Sequence, residues 1–219
     1  MSRLLRSWEI FVASTIAVVF LTLSGIAVVD NEIPGFVGEL FVYQNKSCRS
    51  QGTETFFTYQ NRTYGLTARH CILHEDNPRY SEYEFLIVSE GKRIVVERQK
   101  FFYDRSCDLA IFKVSDHHSD LLLDKDVSVK SGDVVSVCGF SGKYFLRSTG
   151  NILSIDSEKI LHTAVAQHGM SGGPLIVYQD GKIYLVGVLT GALNYSGHLV
   201  YTAIPRDVII SQIEKLNAK

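Results

Sequence analysis

His168-Gly169-Met170-Ser171-Gly172-Gly173-Pro174-Leu175 sets a serine between glycines and runs through Pro174 into the apolar stretch Leu175-Ile176-Val177-Tyr178. Glycine admits backbone conformations closed to other residues and lets a second molecule approach the main chain closely. A loop of this composition can aim the Ser171 hydroxyl outward and turn the N–H groups of Gly169 and Ser171 toward one point. Donors fixed about 3 Å from a developing negative charge are what an oxyanion hole requires. A hydroxyl is a weak nucleophile until a neighbouring base takes its proton. The stretch therefore predicts a histidine and a carboxylate elsewhere in the chain.

Both are present. Thr67-Ala68-Arg69-His70-Cys71 closes a β-patterned segment, and Cys107-Asp108-Leu109-Ala110-Ile111-Phe112-Lys113-Val114 opens another. His70 has the near-neutral titration that lets one group act as base and then as acid. Asp108, between a cysteine and an apolar strand, is suited to fix the imidazole tautomer. Asp104 is the alternative carboxylate. His74 is the alternative base, within the polar stretch Glu75-Asp76-Asn77-Pro78. Asp116, His117, His118 and Asp120 cluster in sequence, but adjacent histidines rarely serve one tetrahedral ion without further spaced ligands. No metal or organic cofactor is expected.

The three stretches together resemble the signatures of the chymotrypsin-like serine proteases, in the order His, Asp, Ser that belongs to that fold. The likeness runs from about Val37 to Asn217. It is nearest the compact, disulfide-poor branch of bacterial stress proteases and viral polyprotein proteases. The resemblance implies two antiparallel six-stranded β-barrels with the active site between them. It makes Ser171 the nucleophile, His70 the general base and then acid, and Asp108 the residue that orients the imidazolium. The N–H groups of Gly169 and Ser171 form the oxyanion hole.

Departures from the family narrow the reading. Met170 stands where digestive relatives carry an acidic residue, so activation by a cleaved N-terminus is not expected. Arg69 replaces the small residue usual before the histidine. Val165 occupies the position, six before the serine, where trypsin-like members place an aspartate, which argues against a basic P1 residue. Val165, Ala166 and Leu189 suggest an apolar or modest uncharged P1 pocket, while His162, Thr163 and His198 would make it polar. In the family, a cysteine after the catalytic histidine is often bridged, so Cys48–Cys71 is one possibility. With Cys107–Cys138 it makes one of three complete pairings, and free thiols are the alternative.

The remaining sequence fits this frame. At 219 residues, 46% hydrophobic and 21% charged, the chain can bury a sizeable core. A net charge of -1 gives no electrostatic reason to expect a nucleic-acid partner. Ile10 to Val29 holds no charged residue over twenty positions, enough to cross a bilayer as a helix. Arg3 and Arg6 before it and Asp30 and Glu32 after it place the N-terminus in the cytoplasm and the rest outside or in a lumen. A cleaved signal peptide ending near Gly25-Ile26-Ala27 is the rival.

The expected organisation is thus a cytoplasmic segment 1–9, a membrane anchor 10–29, a linker 30–37 and a protease domain 38–219. Its barrels fall at about 38–114 and 131–205, joined by the polar segment 115–130. A helix follows Pro205 over 206–217, with Val208, Ile209, Gln212, Ile213 and Leu216 at helical spacing. The partner is a protein or peptide substrate. A peptide-binding module without catalysis, or an esterase using the same groups, are the competing functions.

Overall fold

The computed structural model describes residues 28–29, 32–44, 46–72 and 83–218. Fifteen strands follow one another as β1 (Val28–Val29), β2 (Val37–Gln44), β3 (Ser47–Tyr59), β4 (Arg62–Ala68), β5 (Tyr83–Ser89), β6 (Lys92–Val96), β7 (Phe102–Tyr103) and β8 (Leu109–Val114). Then come β9 (Leu121–Leu122), β10 (Val134–Ser141), β11 (Tyr144–Ile155), β12 (Ile160–His162), β13 (Pro174–Gln179), β14 (Lys182–Tyr195) and β15 (His198–Pro205). Among the described residues there are two α-helices, α1 (Arg69–Ile72) and α2 (Arg206–Asn217), and a 3-10 turn at Arg98–Lys100. Turn chemistry sets the hairpins. Glu90-Gly91 and Asp180-Gly181 both sit at positive φ in two-residue loops, the backbone that matches the twist of the flanking strands.

The second barrel closes on itself. Its strands run β10-β11-β12-β15-β14-β13, and β13 returns to pair with β10 through Ser136↔Ile176 and Val137↔Leu175. The first barrel has six strands in the order β6-β5-β2-β3-β4-β8, with β7 added on β8, but no ladder joins β6 to β8. β9 lies parallel to both β14 and β3 and ties the barrels into one sheet. The connecting segment 115–130, expected to be irregular, therefore contains a strand.

Three apolar cores follow from this arrangement. Leu40, Phe56, Phe85, Ile87 and Phe112 fill the first barrel, and Val137, Ile152, Leu175, Val186 and Leu189 fill the second. Between them Phe57, Leu66 and Ile111 meet Phe140, Ile176 and Val188, and the fully buried Ile209 and Ile213 of α2 seal that interface. Burying an isoleucine side chain is worth roughly 1.5–3 kcal/mol, so the terminal helix is held by its apolar stripe. Its N-cap, Pro205, offers no side-chain hydrogen bond.

Glu54 is a polar intrusion in this interior. It is completely buried on β3, neither carboxyl oxygen has a hydrogen-bond partner, and Oε1 lies against Gly65. Burial raises its carboxyl well above the ordinary 4.5.

Residues 10–27 of the expected membrane anchor lie outside the described residues. Val28 and Val29, its last two positions, belong instead to the domain, as β1 paired with Arg147 and Leu146 of β11. Among the described residues no helix is long and apolar enough to cross a membrane. Neither Cys48–Cys71 nor Cys107–Cys138 forms, because Cys48, Cys71 and Cys107 are free thiols. Gly52 packs on the Cys71 sulfur, where an added Cβ would stand 2.9 Å from the sulfur, too close to be accommodated without a shift.

Candidate active site

β4 ends at Ala68, and the chain turns into α1, where the Arg69 N–H donates to the Asp108 carbonyl at 3.2 Å. The Asp108 carboxylate then holds His70 twice. Oδ1 accepts from the His70 main-chain N–H at 2.8 Å, and Oδ2 lies 2.6 Å from Nδ1. A carboxylate can only accept, so Nδ1 carries a proton, and once the ring is neutral the lone pair lies on Nε2. The carboxylate raises the imidazole from 6.5 to about 10, with the Cys71 side chain adding to the effect and partial burial opposing it. Asp108 enters at the foot of β8, where the buried Leu109 and Ala110 anchor the strand. Asp104, the alternative carboxylate, is engaged elsewhere, by Lys215 Nζ at 2.7 Å and the Ser106 N–H at 3.0 Å. His74 falls outside the described residues.

The loop bearing Ser171 turns on two glycines at positive φ, Gly169 at 94° and Gly172 at 89°. A Cβ on Gly172 would stand 2.1 Å from the Thr53 carbonyl oxygen. The loop is clamped from the first barrel. Thr53 N–H donates to the Ser171 carbonyl at 2.9 Å, Thr53 Oγ1 donates to the Gly169 carbonyl at 3.0 Å, and Thr55 Oγ1 donates to the Gly172 carbonyl at 2.8 Å. The Cys71 thiol, one residue beyond His70, reaches the same Ser171 carbonyl at 3.7 Å. The serine turn and the histidine turn thus touch across the seam between barrels.

Among the described residues the N–H groups of Gly169 and Ser171 have no acceptor. Main-chain donors without an internal acceptor are left to bond water or a ligand. That is the arrangement expected of an oxyanion site.

The residues read from the sequence as a substrate pocket separate into two groups. Leu189 is buried beside the serine loop, accepting from the Gly172 N–H at 2.8 Å and donating to the Gly173 carbonyl at 2.9 Å. Val165 is half-buried, with its N–H on Ser148 Oγ, and Thr163 brackets Asn151 through its N–H and hydroxyl. His198, by contrast, sits at the exposed tip of the β14–β15 hairpin, paired with Tyr195. Six residues along a strand separate Tyr195 from Leu189, about 20 Å at 3.3 Å per residue, so His198 is not part of that cluster. His162 is fully buried and stacked at 6.0 Å on Tyr201, and burial holds it down to about 4 against the opposing pull of the Ala164 main chain.

Asp116, His117, His118 and Asp120 diverge. His117 turns inward onto Phe56 and donates to the Gly35 carbonyl, while the exposed His118 pairs with Asp120 at 3.3 Å.

The clamp from β3 was not read from the sequence. Thr53 and Thr55 are two apart on one strand and so share a face. Two threonines at alternate positions, Thr53 and Thr55, were the signal available.

Comparison with known proteins agrees with this architecture. A family model described as the trypsin-like peptidase domain matches residues 54–188, a span that contains His70, Asp108 and Ser171. The fold is similar to the crystal structure of the inactive form of the Rv3671c protease, with a TM-score of 0.62 over 83% of this chain and 88% of that one, at 18% sequence identity. No curated protein matches the sequence. The chain belongs to the trypsin-like peptidase domain family.

Proposed function

We propose that the chain is a serine endopeptidase working through Ser171, His70 and Asp108. The observation that carries this reading is the double hold of one carboxylate on His70, 2.8 Å to its main chain and 2.6 Å to Nδ1, beside a serine loop clamped in place by Thr53. His70 Nε2 takes the proton as Ser171 Oγ attacks the peptide carbonyl. The Gly169 and Ser171 N–H groups hold the tetrahedral oxygen, worth about 3–4 kcal/mol per donor in such sites. The imidazolium then protonates the leaving amine, giving an acyl-enzyme, and water repeats the cycle to release the acid.

Val165 and Leu189 are assigned to the P1 pocket, supported by the bonds of Leu189 to Gly172 and Gly173 of the serine loop. Neither offers an anion, so cleavage follows apolar or small uncharged residues. The test is hydrolysis of a mixed peptide library by the full chain and by Ser171→Ala. Internal cleavage by the first alone, without preference for Lys or Arg, supports the reading, and equal cleavage by both refutes it.

The apolar run from Ile10 serves as a membrane anchor, with the domain on the extracytoplasmic or luminal side. Its support is the uninterrupted apolar length and the flanking charges. Retention of the full chain in membranes after alkaline carbonate extraction is expected, and quantitative release would reject the anchor.

A further inference from the structure

β6 and β8 present bare edges to one another across a cavity of about 530 Å3. It is lined by consecutive residues, 92–97 on one wall and 112–117 on the other. Successive side chains of a strand alternate between faces, so an uninterrupted run along both walls means the cavity meets strand edges. β7 covers β8 only at Ala110 and Ile111, which leaves Phe112 to Val114 uncovered on that side.

The hairpin fixes which groups of β6 face the gap. Glu90 and Gly91 form a two-residue turn with both φ positive, so Ser89 and Lys92 are a hydrogen-bonded pair. Pairs alternate along an antiparallel ladder. Ile94 and Val96 therefore bond to β5, while the N–H and C=O of Arg93 and Val95 point away from it. No described residue satisfies them. Val95 is also 71% exposed, an unusual place for valine on a sheet edge that no described residue covers.

We infer that this seam binds an extended, acidic peptide segment of a partner protein, which enters as an added strand and closes the first barrel. The volume lies within the range of sites that hold a ligand. Main-chain bonding to Arg93 and Val95 supplies the register, as in other cases of strand addition. The charge selects the sequence: Lys92, Arg93, Lys100 and Lys113 line the cavity against Glu97 and Asp116. The inference does not depend on catalysis, because none of these residues belongs to the proposed active site.

Two fluorescent peptides of about eight residues test it, one alternating glutamate with valine and the other lysine with valine. Binding is followed by anisotropy on the full chain carrying Ser171→Ala, which removes hydrolysis of the probe. The acidic peptide should bind saturably in the range of about 1–100 μM and the basic one at least about tenfold more weakly. Val95→Pro removes an outward N–H and should weaken the acidic peptide about tenfold. The exposed pair Arg93→Glu and Lys113→Glu should reverse the preference between peptides. Amide exchange gives an independent reading on unmodified strands, with protection appearing at Arg93 and Val95 when the acidic peptide is added. No saturable binding, equal binding of both peptides, or protection confined to other strands would overturn the inference. So would protection at Arg93 and Val95 already present in the free chain, since the protein's own residues would then fill the seam.

Discussion

The Thr53 N–H on the first barrel donates to the Ser171 carbonyl on the second at 2.9 Å, and the Thr53 hydroxyl donates to Gly169 two residues earlier. The same oxygen accepts from the Phe140 N–H at 2.9 Å. One buried threonine thus fixes the loop that carries the proposed nucleophile, from the barrel that carries its proposed base. Thr67 Oγ1 donates to the Thr53 carbonyl in turn, linking β4, which leads to His70, to the same clamp.

Thr53→Val keeps the shape and removes the hydroxyl. It strands the Gly169 carbonyl and the Phe140 N–H in the interior, at a cost of about 1–3 kcal/mol. We expect a lower Tm in a Ser171→Ala background and, with Ser171 restored, a fall in kcat larger than any change in KM. Unaltered Tm and kcat would show that the clamp is dispensable.

Gly172→Ala places a side chain at a φ of 89° and against the Thr53 carbonyl. Strain of that kind costs about 1–3 kcal/mol before the clash is counted. The expected outcome is loss of hydrolysis with a markedly lower Tm, measured by activity and by thermal unfolding. Full activity would mean that the loop tolerates another path.

The Asp108 carboxylate keeps His70 protonated to about 10, and only the neutral imidazole can take the Ser171 proton. kcat/KM should therefore rise with pH well beyond 6.5. Asp108→Asn should pull that limb back toward 6.5 and lower the rate by about 10⁴, as the loss of the orienting acid does in this mechanism. The linkage to folding has a definite sign. A histidine raised in the folded state contributes stability fully below pH 6.5, and that contribution fades as pH climbs toward 10. Denaturant titrations of Ser171→Ala with and without Asp108→Asn measure it. A difference that grows with pH would contradict the account.

Glu54 titrates in the opposite sense. Its raised carboxyl is neutral in the fold and ionised in the unfolded chain, so stability declines as pH rises above 4.5, at up to about 1.4 kcal/mol per unit. Glu54→Met should stabilise the protein at pH 7–8 and flatten that decline. Equal Tm values for the two proteins at pH 8 would rule this out.

Much of this molecule was legible in its sequence, and the reasons for the rest are physical. Gly169-Met170-Ser171-Gly172-Gly173-Pro174 announced a tight turn, and Gly169 and Gly172 do sit at positive φ there. The terminal helix was legible from Ile209 and Ile213 at helical spacing, and it runs over Arg206–Asn217 as expected. The first half of β3 carries no local signal because Ser47 to Glu54 is polar and lacks an apolar period, its strand character coming from pairing with β2. The two-residue β9 is held by long-range partners on both barrels, which no local pattern records. The clamp of Thr53 on Gly169 spans 116 residues of chain and is invisible for the same reason. Barrel closure was expected on family grounds, and the gap between β6 and β8 follows from edge groups that sequence alone does not orient.

The central claim is that one hydroxyl, that of Ser171, is made nucleophilic by His70 under the hold of Asp108. Covalent labelling of the full chain by a fluorophosphonate, with the modified residue located by mass spectrometry, tests this most directly. The account predicts one adduct, on Ser171, abolished by Ser171→Ala and strongly slowed by His70→Ala. Absence of any adduct on the folded chain, or labelling that proceeds unchanged without His70, would contradict it.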